Sequence, residues 1–135
     1  MIRAGKYPNA SDNFKTDKWV LKMFEDFQDP CPFNPNYEID GLKIPWGPKV
    51  FVNPPYSNVT PWIQRAIQHT APDLVSGHAS SNIVVMLLKH DSSTKWFRLI
   101  HECKWSHTLL CGERLKHQTE QWASFPSILV VFGNG

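Results

Sequence analysis

Asn53-Pro54-Pro55-Tyr56 is the one short run whose residue types and order suggest chemistry. Two consecutive prolines have fixed φ angles and no N–H to donate, so they stiffen the backbone and turn the Pro54 carbonyl away from any sheet partner. The Asn53 amide adds a second acceptor, and Tyr56 adds a flat ring. Two acceptors beside a ring form a clamp for an amine carried on an aromatic ring. Such an amine is a poor nucleophile because its lone pair is delocalised into the ring. When both of its N–H bonds are accepted, the nitrogen is drawn toward tetrahedral geometry and its lone pair can face an electrophile. Fixed dipoles of this kind stabilise developing positive charge without a general base. The same four residues also suit a plain strand-ending turn, since Asn and Pro are turn formers.

The clamp must be positioned by the elements around it. Lys49 to Asn53 reads as a short strand leading into the prolines. Thr60-Pro61 reads as an N-cap and first helical residue, opening a helix with Trp62, Ile63, Ala66 and Ile67 on one face. Asn82 to Leu88 is an unbroken apolar run of the kind a central strand buried on both faces requires. Upstream, Trp19, Val20, Met23, Phe24 and Phe27 predict an amphipathic helix over 17–27, followed by a proline-rich loop over 28–48. Downstream, Ser92-Ser93-Thr94 can cap a helix carrying Trp96, Phe97, Leu99 and Ile100, and strands are expected near 106–110, 113–118 and 127–132. Alternating strands and helices with a strand-rich tail predict an α/β three-layer domain with a mainly parallel sheet and an antiparallel C-terminal hairpin. Ligands of such sheets bind outside the carboxyl ends of the strands, where Asn53 and the Lys89-His90-Asp91 segment both fall.

Composition narrows the field. The chain has 135 residues, 41% of them hydrophobic and 19% charged, with a formal net charge of +2. This predicts a single domain over 1–135, with 1–13 as a flexible arm and no separate target-recognition domain. The charge permits nucleic-acid contact without requiring it. Arg65, Lys89, Lys95, Arg98, Arg114 and Lys116 are candidate phosphate contacts, although scattered basic residues are usually plain surface. Cys31, Cys103 and Cys111 lack CxxC spacing, and the six histidines lack metal-ligand spacing, so no metal is expected. No apolar run is long enough to span a bilayer, which together with reduced thiols predicts a cytoplasmic protein without a membrane partner.

Asn53-Pro54-Pro55-Tyr56 resembles the catalytic (D/N)PP(Y/F/W) motif of S-adenosylmethionine-dependent amino methyltransferases. In its order of elements, the chain from about residue 14 resembles the small phage-type, Dam-like DNA N6-adenine methyltransferases. FKTDKW, DPCP, Asp40-Gly41-Leu42, NPPYS and its Trp-bearing helix, VVMLLKHDSSTKWFRLI, CGERLKH and SFPSILVVFG carry the likeness. The resemblance implies a compact Rossmann-like three-layer sandwich. Because only a short span separates Asp29 from the catalytic strand, that sheet is expected to lack one or two strands. Asn53, Pro54 and Tyr56 would hold the target amine and its ring, with Pro55 setting the turn. Asp29, Pro30 and Cys31 would face the methionine or ribose part of S-adenosylmethionine, Thr16 its amino-acid moiety, and Asp40 would lie near its adenine. Tyr56, Ser57, Lys89 and Asp91 would stand on the substrate side.

The chain departs from the family pattern in two places: it has no glycine-rich FxGxG after its first strand, and Thr16 precedes Asp17 where proline is commoner. The implied activity is methyl transfer to N6 of adenine in double- or single-stranded DNA, with the base flipped out of any duplex. Specificity would come from loops such as 72–81. The same clamp also suits an RNA base or a protein glutamine amide, and the missing glycine-rich loop also suits a non-catalytic nucleic-acid or cofactor-binding module.

Overall fold

The computed structural model describes residues 18–32, 40–89, 91, 93–110 and 127–133. The elements run in the order α1 (Lys18–Met23), β1 (Lys49–Val52), a 3-10 turn (Tyr56–Asn58), α2 (Thr60–Thr70), β2 (Ile83–Lys89), α3 (Lys95–Glu102), β3 (Ser106–Leu110) and β4 (Ser127–Phe132). Thr16, the arm over 1–13, the strand expected at 113–118, and His90, Arg114 and Lys116 lie outside the described residues.

The four strands form one sheet in the order β1-β2-β4-β3. β1 and β2 are parallel, from Lys49 opposite Ile83 to Val52 opposite Met86. β4 is antiparallel to both β2 and β3. The sheet is therefore mixed rather than mainly parallel. The closing hairpin does not hang on its edge, because β4 inserts next to β2 and carries β3 outward. Parallel character is strongest beside β1, where Gln28 bridges to Val50. There the Gln28 N–H donates to Lys49 O at 2.9 Å and the Phe51 N–H to Gln28 O at 2.8 Å. Among the described residues, pairing on this edge of β1 is confined to that single bridge.

Alternation along the strands divides the core between the two faces. Val50, Val52, Val84, Met86, Leu88, Ile128, Val130 and Phe132 pack against Trp62, Ile63 and Ala66 of α2 and Ile100 of α3. Phe51, Val85, Leu87 and Leu129 pack on the other face against Val20, with Phe24 and Phe27 beside them. Five consecutive residues of β2 are buried, as a strand covered on both sides must be.

Three local expectations are corrected. α1 ends at Met23 instead of continuing to residue 27, and within it Trp19 is 44% exposed while Val20 is buried. The N-cap of α2 is Val59, so Thr60 is already helical and Pro61 sits in the first turn. Val59 takes helical angles because the Tyr56–Asn58 turn leads straight into the helix, and no extended residue remains to turn a side chain back onto the first N–H groups. Thr94 is the N-cap of α3, but its hydroxyl donates backward to Asp91 O at 2.8 Å instead of capping.

Candidate functional site

Topology brings the predicted residues to one edge. β1 delivers Asn53 at its carboxyl end, and the Gln28 bridge releases the chain at Asp29 on the same side. β2 continues past its last pairing with β1 to Lys89, which stands opposite Ser127 at the start of β4. The loop over 72–81 lies elsewhere. It feeds the start of β2, where the Ile83 N–H bonds to Pro48 O, at the opposite end of β1 and roughly 13 Å of strand away from Asn53. It cannot be a specificity loop for this edge.

The Asn53 side chain is buried, 6% exposed, as are Pro54 and Pro55. Tyr56 is half-buried, and its hydroxyl donates a long bond of 3.4 Å to Asn53 Oδ1. The Pro55 carbonyl accepts the Asn58 N–H at 3.0 Å, which locks the 3-10 turn. Among the described residues no backbone N–H bonds to the Pro54 carbonyl. The rigid part of the corner is thus Pro55 onward, with the Asn53 amide and the Pro54 carbonyl ahead of it as the two acceptors. Ser57 is exposed on the next turn.

Asp29 accepts the Cys31 N–H at 3.1 Å. Burial nevertheless pushes its carboxyl up from an ordinary 3.8 to about 6, and the Cys31 hydrogen bond offsets only part of that rise. Its ionised form is therefore costly at this position. Pro30 and Cys31 are buried next to it.

The Asp40 side chain is also buried, but it works locally: Oδ1 accepts the Leu42 N–H at 3.0 Å, and its carbonyl accepts the Lys43 N–H at 3.0 Å. The turn it closes packs against the Asp29 segment so closely that a Cβ at Gly41 would collide with the Pro30 carbonyl oxygen and stand 2.9 Å from the Trp62 ring. Lys89 and Asp91 form a 3.6 Å ion pair. Asp91 also accepts the Ser93 hydroxyl and N–H, which together with Lys89 hold its carboxyl below the usual range. These two residues brace the entry to α3 at the rim of the site.

Three supporting residues went unassigned or misassigned in the sequence. Arg65, a candidate phosphate contact, donates to Leu42 O at 2.8 Å and Ile44 O at 3.0 Å. His69 Nε2 lies 2.7 Å from Gly47 O. Gln28 donates to Pro45 O and accepts the Gly47 N–H. The spacing Trp62, Arg65, Ala66, His69 on one helical flank was the available signal. Of the other candidate cations, Arg98 is paired with Glu102 at 2.7 Å and Lys95 is exposed.

Residues 13–115 match the family described as DNA N-6-adenine-methyltransferase (Dam). The chain belongs to the Dam family. The matched span contains every residue placed at the edge except Ser127, which opens β4. A DNA N-6-adenine-methyltransferase of Haemophilus phage HP1 is 30% identical over 112 residues, which cover 72% of this chain and 61% of the phage protein. The chain thus spans about three-fifths of the length of that relative. No solved structure matches. Among the described residues no helix is long and apolar enough to cross a membrane, and no three metal-ligating side chains cluster.

Proposed function

We propose that this chain transfers the methyl group of S-adenosylmethionine to N6 of adenine in DNA, on a Rossmann-like scaffold shortened ahead of its catalytic strand. The observation that carries the reading is the buried Asn53 amide at the carboxyl end of β1, followed by two buried prolines and the Tyr56 ring. Membership of the Dam family supports it.

In this reading Asn53 Oδ1 and the Pro54 carbonyl each accept one N–H of the adenine amine. The Tyr56 ring stacks on the base, and its long hydroxyl bond to Asn53 yields to the incoming amine. A long bond between neutral groups is weak, so this exchange costs little. Asp29, Pro30 and Cys31 form the cofactor side, with Asp29 receiving the cation of the methionine moiety. The donor set fits such a group: a desolvated carboxylate gains most from a positive partner. The bound cofactor supplies an electrophilic methyl carbon. The chain's own residues align the amine, draw its hydrogens to two fixed acceptors and exclude water from one face of the ring. The base reaches the clamp from single-stranded DNA or by flipping out of a duplex.

The test is transfer of labelled methyl from S-adenosylmethionine to a defined oligonucleotide pool, with mapping of the modified base. Label at adenine N6 is expected, with Asn53→Ala losing roughly 10²- to 10³-fold in kcat. Label on RNA or protein and none on DNA would refute the substrate, and a wild-type rate in Asn53→Ala would refute the clamp.

A further inference from the structure

The Arg65 guanidinium faces the protein rather than solvent-borne phosphate. Its two terminal nitrogens donate to the carbonyls of Leu42 and Ile44, and its plane lies 4.9 Å over the Trp46 ring. Trp46 is buried, and its indole N–H donates to the Gly41 carbonyl at 2.8 Å. The carbonyls of residues 41, 42 and 44 are therefore all drawn inward, two by Arg65 and one by the ring it covers. Gly41 in turn rests on the Pro30 carbonyl with no room for a Cβ. A continuous line of contacts runs from Arg65 on α2 through the 41–46 turn to Pro30, the neighbour of Asp29. The helix carrying Arg65 begins just beyond Tyr56, so its base is fixed to the amine clamp.

We infer that Arg65 is a positioning residue that sets the Asp29–Cys31 cofactor edge against the Asn53–Tyr56 clamp. It acts through the 41–46 turn without touching cofactor or DNA. The inference rests on the proposed methyltransferase reading. A planar fork is needed because the two carbonyls it holds are two residues apart, and a lysine ammonium can match one of them but not the geometry of both. Misplacement of about 1 Å at a reacting centre can cost roughly 10²-fold, so slack in this strap should be read at the cofactor.

The experiment compares wild type with Arg65→Ala and Arg65→Lys. It measures calorimetric binding of S-adenosylhomocysteine, KM for S-adenosylmethionine, KM for DNA at several salt concentrations, and kcat. The expected result is a roughly 10- to 100-fold weakening of cofactor binding in Arg65→Ala and a smaller one in Arg65→Lys. KM for DNA and its salt dependence should be unchanged, and kcat should stay below wild type even at saturating cofactor, because the two halves of the site are no longer held in register. Folding of the variants is checked by thermal unfolding, and Arg65→Lys, which keeps the charge, carries the comparison if Arg65→Ala does not fold. A rise in KM for DNA with a shallower salt dependence would overturn the inference and make Arg65 a phosphate contact. Equal cofactor affinity in wild type and a folded variant would also overturn it. Wild-type protein that neither binds S-adenosylhomocysteine nor transfers methyl would instead remove the methyltransferase reading itself.

Discussion

Asp29→Asn should make this protein more stable and less able to bind its cofactor. In the folded chain the Asp29 carboxyl is raised to about 6 from 3.8 by burial. The folded state therefore keeps its proton between those values while the unfolded state has lost it. This group's contribution to stability is highest below about pH 4, falls as pH rises toward 6, and stays low above it. The displacement corresponds to about 3 kcal/mol, which is a ceiling on what the ionised side chain costs at pH 8. Asparagine has nearly the same shape, and its amide oxygen can still accept the Cys31 N–H. The gain should therefore approach that ceiling, with Tm rising roughly 4 °C per kcal/mol for a chain of this length. Thermal unfolding of both proteins from pH 4 to pH 8 provides the assay. The gap should be near zero at the acid end and open through pH 6. A constant gap would assign the effect to packing, and no gap at pH 8 would refute a desolvated carboxylate at this position. Calorimetry at pH 7.5 completes the test: the more stable variant should bind S-adenosylhomocysteine more weakly. Wild-type affinity should fall as pH drops through 6.

Two further substitutions separate the remaining parts of the site. Tyr56→Phe keeps the ring and removes the hydroxyl that bonds to Asn53 Oδ1, so steady-state assays should show transfer retained. Tyr56→Ala should lose about 1–3 kcal/mol of base stacking, read as weaker DNA binding. Gly41→Ala places a methyl group against the Pro30 carbonyl and the Trp62 ring, and the strain should cost about 1–3 kcal/mol in chemical denaturation while weakening cofactor binding.

The parts legible in the sequence were those fixed by local rules. The run from Ile83 to Leu88 could only be a strand buried on both faces, and Pro61 beside an apolar stripe marked the start of α2 to within a residue. The stiff corner at Asn53–Tyr56 was legible because two prolines constrain backbone wherever they occur. The antiparallel C-terminal hairpin was legible, but the direction of β4 against β2 was not. Leu129 pairs with Leu87 across the middle of the sheet, and nothing in the alternation of β4 states whether it runs with β2 or against it. The end of α1 was misplaced because periodicity cannot say where a helix stops. Arg65 was misread for a similar reason: a cation at a helical position defaults to solvent, and its real partners are carbonyls more than twenty residues earlier in the chain.

Those carbonyls belong to a turn that packs on the Asp29 segment. In longer nucleotide-binding sheets, glycines after the first strand bring backbone close to the ligand. Here an isolated Gln28 bridge precedes β1 in the sheet, and the chain turns at once through Asp29 and Pro30. The close approach seen here is of backbone to backbone, at Gly41, whose missing Cβ lets the 40–42 turn sit on the Pro30 carbonyl. A turn brought in from later in the chain has no strand to hold it, so it needs fastening. Arg65, His69, Trp46 and Gln28 supply that fastening with hydrogen bonds to five of its backbone carbonyls, at 41, 42, 44, 45 and 47. The loop is held by pins instead of by strand pairing, and α2, the helix that follows Asn53–Tyr56, holds two of them, Arg65 and His69.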